Sequence, residues 1–291
     1  MAVQELLTAS VPTAGEKPRD DEIDLFGLTH IGKVRSENQD HFLLCTLHRE
    51  MRVHGTSLPA VDQLPLRSER MATLGIVADG AGGSAAGGAA SYLAVATIAR
   101  YVTHTMECFY GNDPTDEARF LDALRAVALE AHEAVRAAAA GRPDLEGMAT
   151  TLTLVMGVWP HAYVVQVGDS RCYHWSDGRL HRVTRDQTVA QDLVDRGVLP
   201  EETAQSSPMS NVLSSAIGAR TAVPVVTRIA LTRNSAVLLC SDGLTKHVSD
   251  DAIAETLRTA TSSEEACRTL LQRALDGGGT DNITVVLGRG R

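Results

Sequence analysis

The sequence predicts an α+β layered sandwich with mainly antiparallel sheets, and three observations carry that reading. Segments rich in Val, Ile, Leu and Thr come in groups, at residues 25–30, 42–47, 73–78, 151–158, 162–167, 171–175, 225–229, 236–239 and 283–287. Ala-rich or capped helical segments come in pairs, at 86–106 with 116–140 and at 250–260 with 263–275. Neighbouring strands are often separated by turns too short for a crossover helix, which favours antiparallel pairing over an alternating βαβ order.

Each element has a local cause. The helix at 116–140 places Leu121, Leu124, Val127, Ala128, Ala131 and Val135 on one stripe. Asp250 and Ser263 open the later pair with side-chain oxygens of the kind that cap a helix. Asp177-Gly178 lies between Cys172-Tyr-His-Trp and Leu180-His-Arg-Val, a strong short-range hairpin signal. Residues 1–24 hold Pro12, Gly15, Pro18 and an acidic run at 20–22 with little apolar period, and are expected to be a disordered leader to a domain at 25–291. The stretch 48–71, with Gly55, Pro59 and Pro65, is too long and aperiodic for an ordinary connection and is expected to be an insertion.

Composition narrows the function classes. With 291 residues, 44% hydrophobic and 22% charged, the chain can bury a real core. A net charge of −9 would repel a phosphate backbone, so no nucleic-acid partner is expected. No uninterrupted apolar run is long enough to span a membrane, and the first 24 residues lack the basic start and apolar stretch of a secretion signal. The five cysteines are scattered without a C-x-x-C pair, which fits free thiols in a reducing compartment. A cytoplasmic protein is therefore the expectation; a monomer is expected as well, though no residue pattern speaks to it.

The informative feature is a set of aspartates where apolar strands stop. Leu74-Gly-Ile-Val-Ala runs into Asp79-Gly80, Val164-Val-Gln-Val-Gly into Asp169, and Val237-Leu-Leu-Cys-Ser into Asp242-Gly243. Asp281-Asn282 precedes Ile283-Thr-Val-Val-Leu, and Asp40 precedes the strand at 42–47. Carboxylates held rigidly at strand ends could converge on a hard cation such as Mg²⁺ or Mn²⁺, which would cancel their mutual repulsion. Asp-Gly is also ordinary turn chemistry, and Asp177-Gly178 and Asp276-Gly277 are read that way. At Asp79 and Asp242 the text beyond the glycine is glycine-rich or helical, not a partner strand, which weakens the turn reading. Gly80-Ala-Gly-Gly-Ser fails the P-loop test because no Lys-Ser/Thr follows, and as a dinucleotide fingerprint it lacks the later acid-ended strand. The histidines show no metal spacing.

In order, the segments Gly32-Lys-Val-Arg-Ser-Glu-Asn-Gln-Asp40, Val77-Ala-Asp-Gly-Ala-Gly-Gly83, Gly147-Met-Ala-Thr-Thr-Leu152, Val167-Gly-Asp-Ser-Arg-Cys-Tyr173, Asn211-Val-Leu, Leu239-Cys-Ser-Asp-Gly-Leu244 and Gly279-Thr-Asp-Asn-Ile-Thr-Val285 resemble the metal-dependent Ser/Thr protein phosphatases, the PPM or type 2C family, in its bacterial stand-alone form. The resemblance implies a four-layer αββα sandwich, two mainly antiparallel sheets flanked by helix pairs, with a binuclear Mn²⁺ or Mg²⁺ site at one edge. It implies that Asp79 bridges both metals, that the Gly80 carbonyl binds one, that Asp242 and Asp281 complete the first metal's shell, and that Asp40 serves the second. Asp169 matches a position that, with Asp242, holds a third, weaker metal, and Arg35 matches the arginine that binds substrate phosphate.

The implied activity is hydrolysis of phosphoserine and phosphothreonine in proteins by a metal-activated water, on substrates of Ser/Thr kinases. The competing reading is a phosphatase fold that binds phosphoproteins without turnover. A nucleotide-binding protein built on residues 80–88 is a third. This chain departs from the family pattern at Gln39, usually acidic, and at Ala81, Ser84 and Gln187, where relatives carry histidines.

Overall fold

The computed structural model describes residues 16–54, 56–57, 66–82, 84–104, 117–204 and 207–290. In chain order these form β1 (Ile23–His30), β2 (His41–Leu47), β3 (Ala72–Ala78), β4 (Gly80–Ala81), α1 (Ser84–His104), α2 (Glu117–Ala139), β5 (Ala149–Thr150), β6 (Leu152–Val158), β7 (His161–Val167), β8 (Arg171–Ser176), β9 (Arg179–Arg182), α3 (Val189–Asp195), α4 (Glu201–Ala204), β10 (Val225–Ala230), β11 (Ala236–Cys240), α5 (Asp242–Thr245), α6 (Asp250–Thr259), α7 (Ser263–Asp276) and β12 (Ile283–Gly290). One five-stranded sheet has the order β1-β12-β11-β8-β9 and the other β10-β7-β6-β3-β2. Every pairing within them is antiparallel.

Period-two alternation explains the four layers. Along β3, Leu74 and Ile76 pack with Ala90, Ala94 and Ile98 of α1 and with Leu124, Val127 and Ala131 of α2. The intervening Val77 faces the other way, against Val155, Val164, Leu239 and Val286, in the apolar layer between the sheets. On the opposite side Val285 and Leu287 of β12 pack with Ile253, Leu257, Ala266 and Leu270 of α6 and α7. The helix–sheet–sheet–helix order implied by the family resemblance is what these residues build. The Asp177-Gly178 turn joins β8 to β9 with both residues at positive φ, 50° and 74°, as a two-residue hairpin requires.

The N-terminal boundary differs from the expectation for residues 1–24. Strand β1 begins at Ile23, which pairs with Gly290, and Asp24 accepts the Ser263 backbone N–H at 2.6 Å and pairs with Arg289 at 3.3 Å. Pro18 is buried, Arg70 donates to its carbonyl at 2.8 Å, and the same guanidinium pairs with Asp20 at 2.8 Å. Pro18, Asp20, Ile23 and Asp24 therefore tie this stretch into the packed domain, through partners some 50 to 267 positions away and beyond any local period. The rest of the expected leader, residues 1–15, lies outside the described residues. The ends of the expected insertion pair with each other: Ser68 N–H donates to Arg49 O at 2.8 Å and Met51 N–H to Leu66 O at 2.6 Å, while residue 55 and residues 58–65 lie outside the description. The two-residue pair β4·β5 also departs from expectation, since Gly80 leads into a short strand opposite Thr150 and Ala149.

Candidate metal centre

Strand register collects the strand-end aspartates at one end of the sandwich. His41 pairs with Ala78, so Asp40 and Asp79 leave adjacent strands together. Val77 pairs with Thr153 and Leu152 with Val167, which brings Asp169 to that end as well. In the other sheet Cys240 pairs with Val285 and His30 with Ile283, gathering Asp242, Asp281 and the turn that carries Arg35. The two groups meet: Ser241 and Thr284 hydroxyls both donate to Asp40 Oδ2 at 2.7 Å.

Close backbone contacts hold this convergence. The Asn282 side chain donates to the carbonyls of Ile31 and Glu37, both at 2.9 Å, and accepts the Gln39 N–H at 2.9 Å, so one amide fixes the loop between Arg35 and Asp40 against the start of β12. The Asp79 carbonyl accepts from Thr151 N–H at 2.9 Å and the Thr150 hydroxyl at 2.8 Å. A Cβ at Gly80 would collide with the Gly87 carbonyl and lie 2.9 Å from the Gln39 carbonyl, so the backbone after Asp79 can press between α1 and the Asp40 loop only as glycine. Gly243 lies against the Asn282 carbonyl with no room for a Cβ, which seats α5 on β12 and brings Asp242 beside Asp281. Gly243→Ala is expected to lower unfolding free energy by about 2–4 kcal/mol through backbone displacement, read by urea denaturation; a loss under about 0.5 kcal/mol would show that α5 is free to shift.

The carboxylates are not equivalent. Asp40 is 3% exposed, and burial raises its pKa against its two hydroxyl donors, with Asp242 and Asp281 adding repulsion. Burial also raises Asp79 strongly, reinforced by the charges of Asp40, Asp242, Asp169 and Asp281. Asp169 is pushed up to about 8 by burial and then by Asp242 and Asp186. Asp242 is raised by burial despite Lys246. Asp281 alone is held low. Burial would raise it, but Arg35 grips it through Nε and Nη2 at 2.7 and 2.9 Å and Lys246 Nζ lies at 2.7 Å, and together they outweigh burial.

Donor chemistry and charge fit a hard cation. Asp40 Oδ1 and Asp242 Oδ1 are buried oxygens without a hydrogen-bond partner, acceptors that a cation would satisfy. Among the described residues, however, no three His, Cys, Asp or Glu side chains are closed around an ion-sized space. Lys246 Nζ instead spans Asp242 Oδ2 at 2.6 Å and Asp281 Oδ2 at 2.7 Å. An open cleft runs from this group past Arg35 and Asp169 to Thr188, Gln191 and Asn211 of the segment carrying α3 and α4.

Sequence reasoning brought Arg35, Asp40, Asp79, Gly80, Asp169, Asp242 and Asp281 forward, and the fold brings all seven to this end. It missed Lys246, Ser241, Thr284 and the anchoring role of Asn282. Lys246 had a readable signal, since it stands four residues after Asp242 in a segment expected to be helical. The two hydroxyls had none, because Thr284 reads as an ordinary strand residue and Ser241 as the polar end of an apolar run.

An αββα sandwich whose acidic end faces an exposed arginine defines the class of metal-dependent protein phosphatases. The family described as Protein phosphatase 2C matches residues 55–277. The chain belongs to that family. The serine/threonine protein phosphatase PstP of Mycobacterium tuberculosis is 38% identical over 211 residues, which cover 72% of this chain but 39% of that protein, so the chain spans well under half of its length. The serine/threonine phosphatase stp of Listeria monocytogenes is 32% identical over 213 residues, 73% of this chain and 82% of that protein. The solved catalytic domain of PstP in complex with 2 manganese ions has a TM-score of 0.71 at 31% identity, covering 92% of this chain and 97% of that one. Arg35, Asp40 and Asp281 fall outside the matched stretch, and the hydrogen bonds from Ser241 to Asp40 and from Lys246 to Asp281 tie two of them to it.

Proposed function

We propose that this chain hydrolyses phosphoserine and phosphothreonine in proteins, with two Mn²⁺ or Mg²⁺ ions held by Asp40, Asp79, the Gly80 carbonyl, Asp242 and Asp281, and a third, weaker ion at Asp169 with Asp242. The observation that carries the reading is the pair of buried, unpartnered carboxylate oxygens, Asp40 Oδ1 and Asp242 Oδ1, at the end of the fold where Arg35 stands. Bound divalent ions would lower the pKa of water, making it a nucleophile near neutral pH, and offset phosphoryl charge.

The chain's own residues do the rest. Arg35 offers a planar fork matched to two phosphoryl oxygens, and its 56% exposed side chain can turn from Asp281 toward the cleft. Asp40 is fixed by Ser241 and Thr284 with one oxygen left free, so it is oriented before any ligand arrives. Ala81 and Ser84, where relatives carry histidines, leave proton delivery to the departing serine or threonine oxygen to solvent. The reading carries with it phosphoproteins made by Ser/Thr kinases as substrates, and a monomeric chain acting in the cytoplasm. Relatives named as serine/threonine phosphatases support the substrate class.

Phosphate release from a phosphothreonine peptide is expected to require added Mn²⁺ and to cease with EDTA. Turnover that survives EDTA would overturn the metal role, and phosphopeptide binding without turnover under any divalent ion would favour the binding module.

A further inference from the structure

We infer that Lys246 is a tethered cation held by carboxylates that a divalent ion needs, so that metal binding in this chain displaces its ammonium and Lys246 sets the metal affinity. The inference rests on reading the acidic end as a metal centre.

Nζ lies 2.6 Å from Asp242 Oδ2 and 2.7 Å from Asp281 Oδ2, both at the short end expected of charge-assisted hydrogen bonds. Five carboxylates meet at this end, and among the described residues the cations bonded directly to them are Lys246 and Arg35. Both of these converge on Asp281. Lys246 is the cation joined to two of the acids at once, as a bridging ion would be. Its position is not accidental to the helix: Lys246 N–H donates to the Asp242 carbonyl at 2.9 Å, the i,i+4 geometry that puts the two side chains on one face of α5.

The ammonium is also free to leave. It sits on a flexible four-carbon stem, its side chain is 30% exposed, and it lines the open cleft beside Thr245 and Asn211. At Asp281 both oxygens already accept, Oδ1 from Arg35 and Oδ2 from Arg35 and Lys246, and a divalent ion on Asp281 or on the free Oδ1 of Asp242 repels an ammonium on the same carboxylates. Loading must therefore break both ion pairs and move Lys246 into the cleft, and that cost weakens the apparent affinity for metal. A merely structural bridge predicts the reverse. In that case losing Lys246 would disorder the carboxylates and weaken metal binding.

The test is Mn²⁺ titration by calorimetry into EDTA-stripped full-length protein. Lys246→Met and Lys246→Gln are expected to bind Mn²⁺ about tenfold more tightly than wild type, whereas Lys246→Arg stays near it. Equal or weaker binding in both neutral variants would overturn the inference. Wild-type protein that binds no Mn²⁺ would instead sink the metal reading on which it rests, so the two failures are distinguishable. A second measurement needs no variant: amine-reactive labelling of Lys246, read by mass spectrometry, is expected to rise when Mn²⁺ is added. Labelling that is unchanged or reduced would show that the ammonium stays in place.

Discussion

Asp79→Asn is expected to abolish phosphatase turnover while making the metal-free protein more stable. As the proposed bridging ligand, Asp79 would support both ions, and its loss should then lower Mn²⁺-dependent kcat by roughly 10³-fold, the effect of removing several kcal/mol of transition-state stabilisation. The stability gain follows from the same carboxylate. Burial and four neighbouring acids disfavour its charge in the folded state and not in the unfolded chain. A neutral amide of the same shape escapes that penalty and should raise the unfolding free energy, without metal, by about 1–3 kcal/mol near neutral pH. Turnover assays and urea denaturation in EDTA read the two halves. Retained turnover would remove Asp79 from the metal centre, and a fall in metal-free stability would contradict the repulsion that the acidic end implies.

Without metal, stability is expected to fall as pH rises from about 4 to about 8, and Mn²⁺ to cancel most of that fall. Asp40 and Asp169 are pushed up to about 7 and about 8 in the fold, against 3.8 as the ordinary value. Between those limits the folded state holds more protons than the unfolded one, so unfolding free energy decreases with pH, and the penalty is complete above the folded values. Its size should be on the order of 4 kcal/mol in all, because the neighbouring acids share protons and titrate together. Asp281, held low by Arg35 and Lys246, contributes in the opposite sense: its stabilisation is present above about pH 4 and lost below. Burial lowers His41, His132, His161 and His174, whose stabilisation is lost as pH falls and would tilt the curve the other way. His132, His161 and His174 lie outside the proposed ligand set and contribute alike with and without metal, so the difference between the EDTA and Mn²⁺ curves reports the carboxylates together with His41 beside Asp40. Denaturation midpoints measured at about pH 5, 6, 7 and 8 give that difference, and a difference independent of pH would show that the acids are not charged against burial.

The residues most legible in sequence were those whose role is local. The stripe of Leu121, Leu124, Val127, Ala128, Ala131 and Val135 marked α2 because the helix period is a near-neighbour property; five of the six are buried and Leu121, at the edge of the stripe, is half-buried. Asp177-Gly178 marked a hairpin because positive φ is demanded of those two residues alone. Asp79, Asp169 and Asp242 stood out because charge at the end of an apolar strand is unusual whatever surrounds it. Ser241 and Thr284 were invisible for the opposite reason, since a hydroxyl in or just after a strand means something only when an aspartate 201 or 244 positions earlier accepts from it. The N-terminal boundary erred in the same way: Asp20 and Asp24 read as solvated charge until Arg70, Ser263 and Arg289 supplied their partners.

By itself the sequence determined the alternation of buried faces, the placement of helices in pairs and the identity of the aspartates that end apolar strands, because each depends on spacings of a few residues. Only the tertiary structure decided that β3, β7, β11 and β12 deliver those aspartates to one end, that two of their oxygens stay buried without a hydrogen-bond partner, and that Lys246 spans Asp242 and Asp281. Register and burial are set by contacts between distant segments, and an electrostatic balance among five acids and two cations exists only once those segments have been brought together.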